Sequence, residues 1–164
     1  MACFHTIVAA VDFSETSADV LETAREMVRL HRAQLHVIHV VGDPFQAMHA
    51  VETTGLDLPD VLRQWTEAAE QRLATLLEAY PVDSGRLTTS VIAGSPAHEI
   101  VRYAADHEAD LILVGTHARG VVGRVLLGSV ADRVLHHAGR AVLVVPHTPR
   151  RVTTFEVSAA AVGS

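Results

Sequence analysis

A loop rich in glycine and arginine follows a short apolar run in the second half of the chain. The run 111–114 ends at a glycine, and the loop after it leads into a segment of helical period. Backbone N–H groups at a helix start lack intrahelical acceptors and carry the positive end of the helix dipole, so they favour a phosphate. The residues that would surround such an anion are Gly115, Arg119, Arg124, Gly128 and Ser129. Their spacing predicts an anion site, with phosphate as the first ligand to consider.

A carboxylate, Asp12, follows the first apolar run at 6–11, as Gly115 follows the run at 111–114. In an open parallel sheet, ligands bind beyond the carboxyl ends of the strands, where the winding direction reverses. If these two strands are neighbours at that reversal, Asp12 and Gly115 face each other across one crevice. Asp12 would then accept hydrogen bonds from ribose hydroxyls or help to hold a divalent cation bound by phosphates. The alternative is that Asp12 caps the following helix.

Five short apolar runs alternate with segments of helical period. Most of the runs are rich in valine, isoleucine and leucine, which is typical of strands buried on both faces. They are residues 6–11, 35–41, 87–92, 111–114 and 141–145. Between them, apolar residues recur at helical spacing, so each segment predicts a helix with one apolar face. Right-handed crossovers then place helices on both faces of one parallel sheet.

Capping residues agree with these periods. Three serines are predicted helix N-caps: Ser14, Ser95 and Ser129. Pro96 suits a first helical position, and Gly139 suits the position just past a helix end. Ser129 and Asp132 also have the spacing of a capping box.

Two aromatic residues and two unassigned segments complete the organisation. Trp65 and Tyr80 lie on the apolar stripe of the second helical segment, which predicts core packing rather than ligand stacking. The connection 42–59 is much longer than the usual two to six residues, so it is either a flap over a site or disordered. Residues 152–157 form a candidate sixth strand.

Composition excludes several classes of function. The chain has 164 residues, 49% of them apolar, which suits one domain with one core. Its net charge is -6, and its 13 basic residues are arginines spread along the chain, which argues against nucleic acid as a partner. The single cysteine, Cys3, cannot form an internal disulfide and fits a reducing compartment. Without a membrane-length apolar run or a signal-peptide pattern, we expect a cytoplasmic location and no membrane partner.

Competing motifs are incomplete. Gly123, Gly128 and the serine after it have part of a P-loop's spacing, but the chain contains no lysine. The dinucleotide fingerprint needs glycines directly after an early strand, where this chain has Asp-Phe-Ser-Glu at 12–15. His36 and His39 are separated by an odd number of residues on a strand and point to opposite faces, so they cannot share one metal ion. The chain has no Gly-x-Ser-x-Gly nucleophile elbow, and hydrolytic catalysis is not supported.

Taken together, the motifs resemble those of the universal stress protein family. The resemblance runs from Thr6 to Pro146 and rests on residues 7–14, 39–40, 94–96 with Ile100, 109–117 and 127–134. The ATP-binding branch of that family has glycine, two residues, glycine, nine residues, glycine, then serine or threonine. Gly115 matches the first position and Gly128 with its serine the last, whereas Ala118 replaces the second glycine. Glycine permits positive φ and close backbone approach, so we expect the alanine to weaken nucleotide binding without abolishing it.

The resemblance implies where an adenine nucleotide would lie. It places adenine near Val40 and Val11, ribose near Asp12 and Gly115, and phosphates along Gly128, Ser129 and Val130. Two arginines of the loop either add charge to the phosphates or are solvated, and His117 either packs beside the nucleotide or stabilises a turn. The full expected set is Ala10, Val11, Asp12, Val40, Val114, Gly115, His117, Ala118, Arg119, Arg124, Gly128, Ser129, Val130 and Ala131.

These observations combine into one expectation of fold. It is a single doubly wound, Rossmann-like open α/β sheet of five mainly parallel strands in the order 3-2-1-4-5, with helices on both faces. This domain would cover residues 1–149, and a tail at 150–164 would form an extra strand or be disordered.

The expected function is a regulator of the stress response that binds ATP, ADP or AMP without efficient catalysis, with Mg²⁺ entering through the phosphates. The alternative is a nucleotide-free homodimeric protein-interaction module of the same fold, and slow ATP hydrolysis is a third hypothesis. The resemblance also implies a homodimer through the strand at 141–145, whose edge must be covered or paired. An unidentified client protein would complete the set of partners.

Overall fold

The structure is a computed structural model that describes residues 4–42, 58–82, 84–116 and 127–147. Its five strands are β1 (Thr6–Ala10), β2 (Gln34–Val41), β3 (Leu87–Ala93), β4 (Leu111–Gly115) and β5 (Ala141–Val145). Its four helices are α1 (Glu15–His31), α2 (Leu58–Ala79), α3 (Pro96–Asp106) and α4 (Ser129–His137). A 3-10 turn, Ser84–Arg86, precedes β3. Every helix in these ranges is too short or too polar to span a bilayer.

The strands form one parallel sheet in the order β3-β2-β1-β4-β5, as predicted. The central strand β1 pairs with β2 on one side and with β4 on the other, so that Ala10 aligns with both Ile38 and Val114. The chain thus adds β2 and β3 on one side of β1, and then returns to add β4 and β5 on the other side. Helices α1 and α2 pack on one face and α3 and α4 on the other. The doubly wound α/β fold is therefore confirmed.

Alternation along the central strand produces two cores. Ile7 and Ala9 pack with α1 on one face, and Val8 packs with α3 and α4 on the other. All three side chains are fully buried. Residues 7–10 of β1 are all apolar, as expected of a strand that is covered on both faces.

Trp65 is the clearest departure from the predicted core. Its side chain is 47% exposed, so the expectation that it packs in the core is wrong, whereas Tyr80 does pack against the core. The buried residues of α2 are Ala69 and Leu73. Trp65 lies four residues before Ala69 and is rotated from it by about 40° around the helix. It therefore lies on the flank of the stripe that contacts the sheet.

Helix starts also differ in detail from the sequence prediction. Ser129 is the first residue of α4 rather than its N-cap, because Gly128 holds the extended N-cap conformation and its carbonyl accepts the Asp132 N–H at 2.9 Å. The predicted capping box is therefore absent. Helix α2 begins at Leu58, within the predicted connection, and accommodates Pro59 because a first-turn residue needs no N–H acceptor.

Other boundaries follow the prediction. Ser14 and Ser95 are N-caps, Pro96 begins α3, and Gly139 takes positive φ just past α4. Neither serine makes the side-chain capping bond expected of an N-cap. The 43–57 part of the long connection, the candidate strand at 152–157 and the tail at 150–164 lie outside the described residues.

Candidate functional site

A cavity of about 440 Å³ opens at the carboxyl ends of β1, β2 and β4, between the first turns of α1 and α4. It lies where the winding direction reverses, which is the position expected of a ligand site in this fold. Ten of the sequence-predicted residues line it: Ala10, Val11, Asp12, Val40, Val114, Gly115, Gly128, Ser129, Val130 and Ala131. The other four, His117, Ala118, Arg119 and Arg124, lie outside the described residues.

Asp12 organises the turn between β1 and α1. Its Oδ1 accepts the backbone N–H of Ser14 at 2.9 Å and the hydroxyl of Ser17 at 3.1 Å, and it also accepts the Ser14 hydroxyl. The Asp12 N–H donates in turn to the Ser17 hydroxyl oxygen at 3.2 Å. Asp12 therefore holds Ser14, the N-cap residue of α1, and the Ser17 side chain, while it also lines the cavity. The carboxylate is held in place before any ligand arrives.

His39 lies at the same edge and was not among the predicted site residues. Its Nδ1 is 2.8 Å from the Val11 carbonyl oxygen, and because a carbonyl only accepts, Nδ1 carries the proton. Burial lowers the pKa of His39, and Arg72 lowers it further, against the opposing effects of the Val11 hydrogen bond and Asp12. The ring of Phe13 packs on the imidazole at 4.2 Å between centroids. His39 is thus a neutral, fixed ring in the wall of the cavity.

Phe13 is held in an unusual backbone conformation between these groups. Its φ is 61°, in the left-handed region that an aromatic residue rarely adopts. The guanidinium carbon of Arg72 lies 4.3 Å from the centre of its ring, on a helix that packs against the same face of the sheet. Arg72, Phe13 and His39 therefore form a stack that fixes the path of the chain from β1 into α1.

The backbone of Val40 faces the gap that opens where β1 ends. Along β2, the Ile38 carbonyl accepts the Val11 N–H at 2.9 Å, and groups two residues apart on a strand point the same way. The N–H and C=O of Val40 therefore point towards β1. In a continued ladder the Val40 N–H would donate to the Val11 carbonyl, but His39 Nδ1 occupies that position. In the described part of the chain, no hydrogen bond joins the Val40 N–H to β1.

The first turn of α4 contributes backbone donors to the opposite wall. The N-cap residue, Gly128, has no side chain that could accept a hydrogen bond from the first turn. The first backbone N–H of α4 that bonds within the helix is that of Asp132, which donates to the Gly128 carbonyl. The amides of Ser129, Val130 and Ala131 precede it, and all three residues line the cavity. These donors carry the positive end of the helix dipole, so the wall favours an anion.

Gly115 is required by packing as well as by the cavity. A Cβ placed on it would lie 2.6 Å from Cγ2 of Thr16, closer than two carbon atoms can approach. The hydroxyl of Thr16 donates to the carbonyl oxygen of Thr116 at 2.9 Å. Helix α1 is therefore seated directly on the end of β4, with Gly115 beneath the Thr16 methyl.

Sequence reasoning did not assign nine of the residues that line the cavity to the site: Ser14, Thr16, Ser17, Val20, Ile38, His39, Pro96, Ile100 and Thr116. The prediction that His36 and His39 point to opposite faces is confirmed, because His36 contacts Tyr103 on α3 whereas His39 contacts Phe13. The same alternation, applied to the last residues of β2, would have placed His39 beside Asp12. Among the residues that the structure describes, no three His, Cys, Asp or Glu side chains are placed to hold a metal ion.

Comparison with known proteins gives a consistent result. The family model described as the universal stress protein family matches residues 4–146. Universal stress protein MJ0531 of Methanocaldococcus jannaschii is 32% identical over 143 residues, which are 87% of this chain and 82% of that protein.

Solved structures agree. Universal stress protein UspA from Lactobacillus plantarum is 28% identical with a TM-score of 0.72, over 88% of this chain and 99% of that one. A universal stress protein solved in complex with cAMP is 21% identical with a TM-score of 0.59, over 90% of this chain and 100% of that one. At that identity the second likeness shows the fold alone.

The contact between Gly115 and Thr16 predicts a rescue by a second substitution. Gly115→Ala is expected to lower the free energy of unfolding by about 1–3 kcal/mol, as overpacking of a buried contact does. Thr16→Ser removes the obstructing methyl and keeps the hydroxyl that bonds Thr116, so the double variant should be less destabilised than the sum of the two single variants. Urea denaturation of all three variants measures this. Additive losses would contradict the contact.

The burial of His39 predicts a loss of stability in acid. A histidine whose pKa is lowered by folding binds its proton more readily in the unfolded chain, so stability falls as the pH drops below about 6.5, the ordinary histidine value. His36, whose pKa is also lowered, first by burial and then by His107, adds to the effect. Urea denaturation between pH 5 and pH 8 should show a smaller acid loss for His39→Gln than for the wild type. An unchanged loss would show that His39 does not contribute.

Proposed function

This chain belongs to the universal stress protein family, and from that premise we propose that it binds an adenine nucleotide in the cavity between β1, β4 and α4. We further propose that it acts as a nucleotide-responsive regulator of the stress response, without efficient turnover of the nucleotide. The observation that carries the proposal is that residues of β2 and of the first turn of α4, both with backbone donors, line one cavity at the reversal of the sheet.

The wall formed by β2 suits a purine base. Adenine has two apolar faces and an edge of alternating donors and acceptors, and the N–H and C=O of Val40 offer that edge a complementary pair. Apolar side chains of Ala10, Ile38, Ile100 and Val114 also line the cavity and suit the faces of the ring. Because the Val40 groups belong to the backbone, the preference for the base does not depend on any one side chain.

The wall formed by α4 suits the phosphates. Three first-turn amides and the helix dipole favour a negative group at this position. Asp12 follows β1 and lines the cavity, and a carboxylate is a suitable acceptor for ribose hydroxyls. A Mg²⁺ ion would enter bound to the phosphates, as cations of this kind prefer carboxylate and phosphate oxygens.

A related protein of this fold has been solved with a nucleotide, since one universal stress protein was solved in complex with cAMP. This supports an adenine nucleotide as the class of ligand to test first. The competing proposal, a nucleotide-free interaction module, is favoured by Ala118, which replaces a glycine of the ATP-binding pattern. Mass spectrometry of protein purified without added nucleotide separates the two, because a bound ATP or AMP would be carried through purification.

Removal of one backbone amide provides a sharp test of the phosphate wall. Ser129→Pro deletes the first N–H of α4 but keeps the helix, because proline is favoured at a first helical position and Gly128 before it is already extended, with φ -67° and ψ 153°. A hydrogen bond to a charged group contributes about 1.5–3 kcal/mol, so ATP affinity should fall roughly tenfold or more. Isothermal titration calorimetry against Ser129→Ala, which loses the hydroxyl alone, isolates the amide. Equal affinities of the two variants would place the phosphates elsewhere.

We also propose that the chain forms a homodimer through β5. This strand lies at the edge of the sheet, and the backbone N–H and C=O groups of successive residues point alternately towards β4 and towards the open edge. Thr116 N–H donates to the Val145 carbonyl at 2.9 Å, so Val145 and Leu143 face β4 whereas Val142 and Val144 present their backbone groups to the open edge. An apolar strand with such an edge must be covered or paired.

The direction of the β5 backbone groups predicts opposite effects for two proline variants. Val142→Pro removes an outward N–H and leaves the bonds to β4, so the chain should stay folded and become monomeric. Leu143→Pro removes a bond to β4 and should lower the melting temperature instead. Light scattering coupled to size exclusion, with thermal melting, distinguishes the two. A Val142→Pro protein that remains dimeric would contradict the interface.

A further inference from the structure

We propose that the free edge of β3 is a docking site for an extended segment of a partner protein, which pairs with it as an additional strand of the sheet. β3 is one of the two edge strands in the order β3-β2-β1-β4-β5, and the other is β5, where we place the dimer contact. The two edges are about 19 Å apart, at about 4.8 Å between neighbouring strands, so they are separate surfaces.

The direction of the backbone groups along β3 follows from its last bond to β2. The Gly94 N–H donates to the Val41 carbonyl oxygen at 2.9 Å, so Gly94 and every second residue before it face β2. The alternation along β2 agrees, because Ile38 and Val40 face β1 and Val41 therefore faces β3. The residues of β3 whose backbone groups face the open edge are then Leu87, Thr89, Val91 and Ala93.

These four residues offer unpaired backbone donors and acceptors. In the described part of the chain, no backbone or side-chain group bonds to their outward N–H and C=O groups. A row of such groups is the template with which an extended chain pairs by main-chain hydrogen bonds. The strand has seven residues, so the row is about 23 Å long at about 3.3 Å per residue.

β3 lacks the features with which proteins protect an exposed edge. These features are charged side chains, proline, a bulge or a very short strand. Its sequence, Leu-Thr-Thr-Ser-Val-Ile-Ala, contains no charged residue and no proline. Its register with β2 is uninterrupted from Leu87, opposite Leu35, to Ala93, opposite Val41, so it contains no bulge. An uncharged segment can therefore pair with this edge without the burial of a charge.

Neither layer of helices covers the middle of β3. Leu87 and Val91 pack against the core on the side of α1 and α2, whereas Ile92 packs on the side of α3 and α4. By the alternation of a strand, Thr89 shares the first face and Thr88 the second. Both threonines are exposed, so the helices leave both faces of the edge open at its centre.

The side chains that flank the edge define the chemistry of the partner. On the face of α2, an added strand would lie beside the partly buried Leu87 and Val91, which favour a β-branched residue at every second position. On the other face it would lie beside Thr88 and Ser90, which favour threonine or serine. The partner is thus an uncharged extended segment in which β-branched residues alternate with hydroxyl residues.

A second copy of the chain is the competing occupant of this edge. Pairing of β3 with β3 of another copy, combined with a dimer through β5, would extend from copy to copy without closure. A segment of another protein ends the sheet instead, because it adds one strand and no second edge of this chain. We therefore assign the edge to a separate partner.

The probe for this edge is a fluorescein-labelled heptapeptide of alternating threonine and valine, with a serine-glycine pair at each end. Fluorescence anisotropy with the full chain should show saturable binding by the wild type. Thr89→Pro removes one outward N–H and keeps the bonds to β2, and proline is tolerated on an edge strand, so the melting temperature should hold. Its affinity for the peptide should fall about tenfold or more, because the ring also blocks the close approach of an added strand.

The matched control is Val142→Pro, which makes the same change at an outward position of the opposite edge. It should bind the peptide within twofold of the wild type, which keeps this site distinct from the dimer contact. Hydrogen exchange followed by NMR gives a readout that needs no substitution. The peptide should slow exchange of the Thr89 and Val91 amides about tenfold or more, and change little at Ser90 and Ile92, whose amides already bond to β2.

Several results would overturn the proposal. They are no binding by the wild type, equal affinity of Thr89→Pro and the wild type, an equal loss in Val142→Pro, or slowed exchange only outside the outward amides of β3. Light scattering provides the last one. If the Val142→Pro protein self-associates and Thr89→Pro/Val142→Pro does not, the edge serves a second copy and not a separate partner.

Discussion

The end of β1 is the constraint on which the site depends. β1 stops at Ala10 while its neighbour β2 continues to Val41, so backbone groups that a longer ladder would have paired must find other partners. His39 takes the Val11 carbonyl, and Ser17 takes the Asp12 N–H. The Val40 groups face the gap that results. A ligand bound there would pair with these backbone groups in place of a missing strand, and Asp12 is the one acidic residue among the described residues that line the cavity.

The fold was accessible from the sequence because its strongest signals are local. Runs of β-branched and leucine residues marked all five strands, and their alternation with helical segments indicated a parallel sheet covered on both faces. The order of the strands was expected from the resemblance to the family. The wrong predictions, the N-cap of α4 and the burial of Trp65, concern positions where two local sequence patterns competed. Ser129 and Gly128 are both acceptable N-caps, and the choice between them depends on how α4 meets the cavity. Trp65 lies on the flank of an apolar stripe, and only the packing of α2 decides on which side of the boundary it falls.

The sequence predicted which residues lie at the site, but it did not predict the contacts between them. The placement of Asp12, Gly115 and Gly128 at one edge follows from strand order, and all three line the cavity. The reason for Gly115 does not follow, because its closest neighbour is Thr16, a residue 99 positions away whose methyl would meet a Cβ there. A glycine after a strand indicates a phosphate loop and a close helix contact equally well. Pairs that are distant in sequence carry this information, and one sequence alone does not reveal them.

The contact of Thr16 with the end of β4 joins the cavity to the core of the protein. Thr16 belongs to the first turn of α1, and Val20, one turn later, is buried in the core while it also lines the cavity. Because interiors are close-packed, a ligand that displaced this turn would change the packing of the core as well as the shape of the site.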